Sequence, residues 1–166
     1  MDLVIRDATI DDAPIVSALI HESFNQFVAP DWEPRACEAF LNQTSEESLA
    51  AKISQSTYAA VALVSTEIVG VIHMPSPALI NLLFVRPNWL RRGVASQLWE
   101  AARGHVEAHH PTVKTVELNS TPYAFAAYRA LGFYPISEPL RLGGGLATRM
   151  ACWLPGRSLA NSENAA

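Results

Sequence analysis

A nearly continuous apolar segment in the middle of the chain constrains its fold more than any other feature. Residues 79–85 read Leu-Ile-Asn-Leu-Leu-Phe-Val, and Pro87 ends the run. A strand of this composition is typical of the centre of a sheet that is covered on both faces. Gly93 then begins a segment, up to about His109, in which apolar side chains recur at helical spacing. The sequence therefore predicts a central strand, a short loop and a helix that starts at a glycine.

Weaker patterns on both sides of this unit complete an α/β layout. Further strands are predicted at residues 3–6, 58–64, 68–74, 113–118, 133–134 and 147–154, the second and third of them as a hairpin. Further helices are predicted from a Thr9–Asp12 capping box to about Phe27, over 35–53 with a break at 42–44, and over 123–131, where Gly132 ends the helix. This order predicts one α/β domain, residues 1–154, with a mixed central sheet of about six to seven strands and helices on both faces. The small polar tail, residues 155–166, is expected to be disordered.

Charge and apolar patterning argue against several classes of protein. The 166 residues carry a formal net charge of −4, whereas nucleic-acid binding usually needs a basic face. No apolar run approaches the roughly 20 residues of a membrane-spanning helix, and the first residues do not resemble a secretory signal. Cys37 and Cys152 lie far apart and form no metal-binding or redox motif. We therefore expect a cytoplasmic protein that binds neither membranes nor nucleic acid.

The loop after the central strand has the chemistry of an anion site. It reads Leu90-Arg91-Arg92-Gly93-Val94-Ala95-Ser96. The first turn of a helix has amide N–H groups without intrahelical partners and a partial positive charge. Gly93 lacks the Cβ that would keep a phosphate from the backbone, and Arg86, Arg91 and Arg92 add positive charge. The loop suits a pyrophosphate or a ribose phosphate, although a helix start with solvated arginines is an alternative that the loop alone leaves open.

A second segment, one helix and one strand further on, narrows the interpretation. It places Asn119 at a strand end, Tyr128 in the next helix, and a Leu131-Gly132-Phe133 turn after it. With the loop and the opening residues 5–13, this segment resembles the signatures of the GCN5-related N-acetyltransferase (GNAT) superfamily over about residues 3–153. The loop is similar to the family's pyrophosphate-binding motif, Gln/Arg-x-x-Gly-x-Gly/Ala. It departs from that motif at Leu90, which stands where Gln or Arg is usual.

The resemblance implies that acetyl-CoA is the co-substrate, with no metal. The residues that it implies for cofactor binding are Leu83, Phe84 and Val85 on the central strand, Leu90, Arg91, Arg92, Gly93, Val94, Ala95 and Ser96 in the loop and helix start, and Asn119. Leu90 offers no side-chain donor, so backbone amides, Gly93 and the arginines are expected to hold the phosphates. Tyr128 matches the family's general acid near the cofactor sulfur, since a phenol with a pKa of about 10 is protonated at neutral pH. Tyr123 is the weaker candidate for this role.

The general base is not evident from the sequence. Asn81 occupies a part of the central strand where some relatives have an acidic residue, and an amide cannot act as a base. His73 is the best titratable candidate, because its reference pKa of roughly 6.5 suits the task. His21 and Glu22, late in the first helix, are further candidates at the border of the acceptor pocket. A water relay, or an amine that arrives neutral, needs no base residue.

Two functions are compatible with these residues, and the charge of the chain argues against a third. The first is transfer of the acetyl group of acetyl-CoA to a primary amine of a small molecule, an amino acid or a peptide, by direct attack in a ternary complex. A non-catalytic CoA-binding regulatory module is the main alternative, because Leu90 and the missing base favour it. A toxin-like enzyme that acts on charged tRNA conflicts with the net charge of −4. Residues 24–55, with Trp32, Glu33 and Phe40, are expected to shape the acceptor pocket, and a homodimer, common in the family, stays open.

Overall fold

Two small β-sheets meet at one short parallel contact in the computed structural model, which describes residues 2–154. The strands are β1 (Leu3–Asp7), β2 (Tyr58–Val64), β3 (Glu67–Met74), β4 (Leu82–Val85), β5 (Thr115–Ser120), β6 (Tyr134–Pro135), β7 (Leu140–Leu142) and β8 (Gly145–Trp153). The helices are α1 (Ala13–Phe27), α2 (Pro34–Gln43), α3 (Glu46–Gln55), α4 (Val94–His109) and α5 (Phe125–Ala130). The tail predicted at 155–166 lies outside the described residues. Within residues 2–154, no helix combines the length and hydropathy that a membrane crossing requires.

The two sheets join just before β4. In the first sheet β1, β2, β3 and β4 pair in this order, and in the second β8 pairs with β5, β6 and β7, all antiparallel. Leu79 and Glu117 form a parallel bridge between the sheets. The N–H of Ile80 donates to the C=O of Glu117 at 2.9 Å, and the N–H of Glu117 donates to the C=O of Ala78 at 2.8 Å. Among the described residues β4 and β5 share no further pairing, so the two strands diverge and leave a cleft.

The central strand is shorter than its apolar pattern predicted. The N–H of Asn81 donates to the C=O of His73 at 2.9 Å, while Leu82 is the register partner of the same His73. Two successive residues therefore face one, as in a β-bulge, which bends the strand. The predicted strand over 79–85 is thus corrected to Leu82–Val85. Residues 79 and 80 pair with β5 instead. A run of apolar residues in the sequence does not show whether β3 or β5 will be the partner.

The predicted α/β architecture with a mixed sheet is confirmed. The described residues form eight strands where about six to seven were predicted, and β7 is the strand that the sequence did not reveal. The predicted hairpin is β2–β3, and Ser65 takes a φ of 54° in its turn, a position where glycine or asparagine is usual. The predicted break at 42–44 separates α2 from α3. Gly132, at φ 101°, follows α5 as predicted.

Helices cover both faces of the first sheet. α1 and α3 bury an apolar cluster with Val71 and Leu82 on one face, and α4 packs on the other. Gly70 in β3 permits the close approach of α4, because a Cβ there would lie 2.7 Å from Val94 Cγ1 and 3.0 Å from Leu98 Cδ1. Protein interiors have little spare volume. Gly70 therefore helps to set where the N-terminus of α4 lies.

The predicted capping box fixes the entry to α1. The N–H of Thr9 donates to Asp12 Oδ2 at 2.8 Å. The guanidinium of Arg6 donates to both oxygens of the same carboxylate, at 2.8 and 2.9 Å. These bonds, that of Arg6 foremost, hold the pKa of the buried Asp12 carboxyl below its usual value. The carboxylate thereby ties β1 to the start of α1.

Candidate active site

A cavity of about 290 Å³ occupies the cleft where β4 and β5 diverge. It is lined by residues of seven different elements and their flanking loops: Phe24, Val28, Trp32, Phe40, Asn81, Leu82, Leu83, Phe84, Asn119, Thr121, Tyr123, Ala124, Tyr128, Leu142 and Ala147. Four residues that the sequence predicted for the site, Leu83, Phe84, Asn119 and Tyr128, line this one cavity. The divergence of the strands thus brings together segments that are far apart in the chain.

The outer edge of β4 offers backbone hydrogen-bonding groups to the cleft. The N–H of Arg86 donates to the C=O of Val69 at 2.8 Å, and successive residues of an antiparallel strand direct their peptide groups to opposite sides. The peptide groups of Leu83 and Val85 therefore face away from β3, and those of Phe84 face β3. Within residues 2–154, β4 has no ladder partner on its outer side. An extended chain with amide groups can add to such an edge as a strand would.

The loop before α4 has an open backbone at Gly93. Arg91 and Gly93 adopt φ values of 61° and 80°, in the left-handed region that costs glycine least. A Cβ on Gly93 would meet no atom within 4 Å, so the space beside it is open to a ligand. The N–H groups of Val94–Ser96 lie in the first turn of α4, where no side chain caps the helix and no intrahelical acceptor exists. These groups fit a phosphate.

The side chains of the loop differ in their surroundings. Leu90 is partly buried and packs against the main apolar cluster, so it anchors the loop where a donor is usual in the family. Arg91 and Arg92 are exposed, and the Arg92 guanidinium lies 5.0 Å from the centroid of the Trp89 ring. The exposed arginines can approach an anion beside Gly93. The side chain of Val94 is buried at 1% exposure, and only its backbone can contribute.

Arg86 and two candidates in α1 are engaged elsewhere, which corrects the roles expected of them. The Arg86 side chain donates through Nε to the C=O of Ile68 at 2.8 Å and through Nη1 to Glu22 at 3.1 Å. Its charge is therefore offset by Glu22. His21 Nε2 lies 3.0 Å from Thr44 Oγ1. Neither Glu22 nor His21 lines the cavity, so they do not border an acceptor there.

Tyr128 presents a protonated hydroxyl at the cavity. Its ring packs edge-on against Phe133, with centroids 5.9 Å apart. Burial raises the pKa of the phenol to about 12. Among residues 2–154 the hydroxyl has no hydrogen-bond partner. The group is therefore a donor that is available to a ligand.

Tyr123 and Asn119 line the same cavity in different settings. Tyr123 is 50% exposed, and its ring stacks on Phe27 with centroids 4.6 Å apart and an angle of 5° between planes. This pair connects the end of α1 with the start of α5 beside the cleft. Asn119 is exposed near the end of β5, so its amide is free to turn toward a ligand. Because the ring of Tyr123 is stacked and exposed, it is better suited to form a wall of the cavity than to act as the proton donor.

The candidate bases of the described chain do not line the cavity. His73 is only 4% exposed, burial lowers the pKa of its imidazole, and it is absent from the cavity lining. Asn81 Nδ2 lies 3.4 Å from His73 Nδ1, so the amide stands at the cavity with the imidazole behind it. Among the described residues no Asp, Glu or His lines the cavity. No three His, Cys, Asp or Glu side chains of this part of the chain are arranged as metal ligands.

Aromatic side chains form one wall of the cavity. Phe24 stacks on Phe40 with centroids 4.2 Å apart and meets Trp32 edge-on at 5.4 Å. Phe40 in turn lies 6.0 Å from Phe84 of β4. Trp32 and Phe40, which the sequence predicted to shape an acceptor pocket, both line this cavity. Glu33 does not, because its exposed carboxylate pairs with Arg141 at 3.8 Å outside the lining.

The β7–β8 hairpin supplies a wall that the sequence did not predict. Leu142 and Ala147 line the cavity from this hairpin. A Cβ on Gly145 would overlap the indole of Trp32, so the turn packs directly against that ring. The run of three glycines at 143–145 was the signal in the sequence for such a close approach.

The diverging strands, the open edge of β4 and the glycine-led helix define an α/β protein with a cleft between its two sheets. Residues 28–154 match the family profile of the acetyltransferase (GNAT) domain. The chain belongs to this family, whose members are acetyltransferases.

Solved structures share the fold over nearly the whole chain. A GCN5-related N-acetyltransferase (aminotransferase, class II) from Rhodopseudomonas palustris is 21% identical, with a TM-score of 0.80, over 93% of this chain and 97% of that one. PaiA N-acetyltransferase from Thermoplasma acidophilum, in complex with coenzyme A, is 17% identical, with a TM-score of 0.78, over 93% and 100%. Ribosomal-protein-S18-alanine N-acetyltransferase from Escherichia coli is 20% identical, with a TM-score of 0.64, over 92% and 94%. A search of curated protein sequences finds no match.

Proposed function

We propose that this protein transfers the acetyl group of acetyl-CoA to a primary amine by direct attack in a ternary complex. The observation that carries the proposal is the cavity in which the open edge of β4, Asn119 and Tyr128 meet. Membership of the GNAT acetyltransferase family supports acetyl transfer. The Thermoplasma acidophilum protein of the same fold binds coenzyme A, which supports the choice of donor.

The chain's own groups divide the work of binding. Acetyl-CoA carries the acyl group as an activated thioester. The amides of Val94–Ser96, the open backbone at Gly93 and the exposed Arg91 and Arg92 hold its phosphates. The peptide groups of Leu83 and Val85 hold the amide-bearing arm along the edge of β4, in the manner of an added strand.

Two groups in the cavity stabilise the negative charge that develops during the reaction. A backbone N–H on the edge of β4 stabilises negative charge on the acyl oxygen. The Tyr128 hydroxyl donates a hydrogen bond to the departing sulfur. No carboxylate or imidazole of residues 2–154 lines the cavity, so the amine enters neutral or gives its proton to water.

Calorimetry with acetyl-CoA tests the binding half of the proposal. Gly93→Glu is expected to abolish binding, because it places a carboxylate beside the phosphate site at a backbone φ of 80°. Gly104→Glu is the matched control: it adds the same side chain to α4 where a Cβ meets no atom within 4 Å, and binding should stay at the wild-type level. Thermal unfolding of both variants verifies that they fold. Absence of acetyl-CoA binding to the wild type would overturn the proposal.

Thiol release tests the catalytic half. Incubation with acetyl-CoA and a panel of primary amines should release free coenzyme A only when an accepted amine is present. A CoA-binding regulatory module is the second candidate, and the absence of any Asp, Glu or His from the described cavity lining favours it. Tight acetyl-CoA binding with no thiol release across a broad panel would establish the module instead.

A further inference from the structure

No charged side chain of residues 2–154 lines the cavity, which restricts the acceptor. Its polar members within the described chain are Asn81, Asn119, Thr121, Tyr123 and Tyr128, and the rest are apolar. No carboxylate is present to pair with a second ammonium group, and no Lys or Arg is present to pair with a carboxylate. Burial of an unpaired charge is strongly unfavourable. The cavity is therefore unsuited to polyamines and to free amino acids.

The cavity is also divided into a polar end and an apolar end. The polar residues come from the bulge of β4, the end of β5, and α5 with the turn before it. Most of the apolar ones come from the end of α1, from α2 and its approach, and from the hairpin, and the others from β4 and the turn before α5: Phe24, Val28, Trp32, Phe40, Leu142 and Ala147, then Leu82, Leu83, Phe84 and Ala124. The polar end contains Tyr128 and Asn119 and adjoins the open edge of β4. An amine whose nitrogen lies at this end must extend its body toward the apolar one.

The apolar end is shaped by rings in fixed positions. Phe24 packs on both Phe40 and Trp32, and Trp32 is held from behind by the turn at Gly145. Aromatic groups favour stacked or edge-on neighbours at these separations. A flat ring is thus the body that this end accommodates best.

Charged residues near the lining in sequence are directed elsewhere. Glu33, next to Trp32, pairs with Arg141 at 3.8 Å, and both side chains are about 70% exposed. Asp31 is exposed and does not line the cavity. These residues leave the apolar end of the cavity uncharged.

We propose that the acceptor is a small primary amine whose body is an aromatic ring and whose only charge is its amino group, as in 2-phenylethylamine. This inference rests on the proposed function, because it takes the polar end as the place of acetyl transfer. The volume of about 290 Å³ lies just below the roughly 300–1,000 Å³ typical of ligand pockets. The amine nitrogen forms a bond to the acyl carbon as the C–S bond breaks. The ammonium loses two protons, of which the sulfur takes one and water the other.

Four acceptors with matched differences test the substrate class in a thiol-release assay with acetyl-CoA. 2-Phenylethylamine is compared with L-phenylalanine, which adds a carboxylate, with putrescine, which replaces the ring by a second amine, and with a short peptide that begins with Phe. We expect kcat/KM for 2-phenylethylamine to exceed that of each of the other three by about tenfold or more. Equal or better use of putrescine or phenylalanine would overturn the inference. Preference for the peptide would overturn the restriction to small amines.

A pair of variants on one strand tests the cavity itself. Leu142→Glu places a carboxylate in the lining, whereas Leu140→Glu places one on the same strand outside it. Both leucines are exposed, at 39% and 42%, so both variants are expected to fold. Leu142→Glu should lower kcat/KM for 2-phenylethylamine by about tenfold and raise relative use of putrescine. Leu140→Glu should change neither, and equal effects of the two variants would contradict the placement.

Failure of the inference is distinguishable from failure of the proposed function. If putrescine or phenylalanine is the better acceptor, acetyl transfer stands and the inference is wrong. If no amine releases thiol, acetyl transfer is wrong. Ligand-observed NMR with 2-phenylethylamine then tests whether the cavity binds an aromatic amine. Saturable binding that Leu142→Glu weakens and Leu140→Glu does not would support the aromatic-amine site. Absence of saturable binding to the wild type would overturn it.

Discussion

At the scale of single residues, the surroundings of Tyr128 decide what its hydroxyl can do. Burial raises the pKa of the phenol to about 12, whereas a thiol has a pKa of about 8.5. The phenol is therefore a weaker acid than the thiol that leaves. In the proposed reaction we expect the hydroxyl to stabilise the departing sulfur as a hydrogen-bond donor without giving up its proton, which refines the role of general acid that the resemblance implied.

Tyr128→Phe tests this role. We expect kcat to fall by about 10- to 100-fold, with little change in the KM for acetyl-CoA, because the ring and its packing against Phe133 remain. The stability should hold, since the hydroxyl has no hydrogen-bond partner to lose within residues 2–154. Steady-state kinetics measure the effect. Tyr123→Phe serves as the control, and a larger loss of kcat in that variant would transfer the role to Tyr123.

A second residue-scale prediction concerns Asp12 and pH. The Asp12 pKa is lower in the folded protein, chiefly because Arg6 donates to the carboxylate. Such a group stabilises the fold fully above its unfolded pKa, and this contribution is lost as pH falls through the lowered folded pKa. Asp12→Asn should therefore lower the free energy of unfolding by about 1–2 kcal/mol at pH 7. The gap to wild type should narrow below about pH 4.

Urea unfolding at a series of pH values measures this difference. Asp11→Asn removes a carboxylate from the exposed neighbour in the same turn and should leave stability close to wild type. A gap for Asp12→Asn that stays constant from pH 7 to acid conditions would contradict the assignment to the Arg6–Asp12 pair.

At the scale of elements, the packing of α4 on β3 positions the loop at 90–93. Gly70→Ala would put a methyl group 2.7 Å from Val94 Cγ1 in the first turn of α4. We expect a loss of about 1–3 kcal/mol in unfolding free energy from overpacking. Weaker acetyl-CoA binding should accompany it, because the N-terminus of α4 must shift. Urea unfolding and calorimetry measure the two effects.

Gly104→Ala is the matched control within the same helix. A Cβ at Gly104 meets no atom within 4 Å, and alanine favours a helix over glycine by about 1 kcal/mol. This variant should therefore be as stable as wild type or more so, with unchanged binding. A loss of stability for Gly104→Ala that equals that of Gly70→Ala would show that the close approach at Gly70 is not the cause.

The individual helices and strands also show which features of the fold a sequence pattern can predict. The start of α4 at Gly93, the hairpin β2–β3 and the break between α2 and α3 follow from local periodicity and turn chemistry, and they were predicted. The three residues of β7 are too few to show a period. The divergence of β4 from β5 depends on the bulge at Asn81, which an apolar run does not reveal.

At the scale of the whole molecule, the only β-bridge that joins the two sheets within residues 2–154 is that of Leu79 and Glu117. A ligand that binds the edge of β4, the start of α4 and the end of β5 joins both sheets. It stabilises the folded state by mass action, by about 2.7 kcal/mol at 100 times its Kd. For a chain of this size the Tm should then rise by about 5–10 °C.

Differential scanning fluorimetry with coenzyme A measures this shift. The rise should saturate with coenzyme A concentration and disappear in Gly93→Glu, while Gly104→Glu retains it. An unchanged Tm at millimolar coenzyme A would contradict the binding mode.

The sequence by itself determined the features that neighbouring residues create together. Apolar spacing defined most strands and helices, and Gly93 with its flanking arginines marked the anion loop. Asn119 and Tyr128 were named for the site, and both line the cavity. The tertiary structure decided what depends on residues distant in the chain. His73 lies behind Asn81, and Arg86 pairs with Glu22. The hairpin at 143–145 packs against Trp32, and the described residues that line the cavity carry no charged side chain. Local conformation follows from the backbone preferences of adjacent residues and from the spacing of their apolar side chains. The partner of a side chain, in contrast, is determined only when helices and strands pack together.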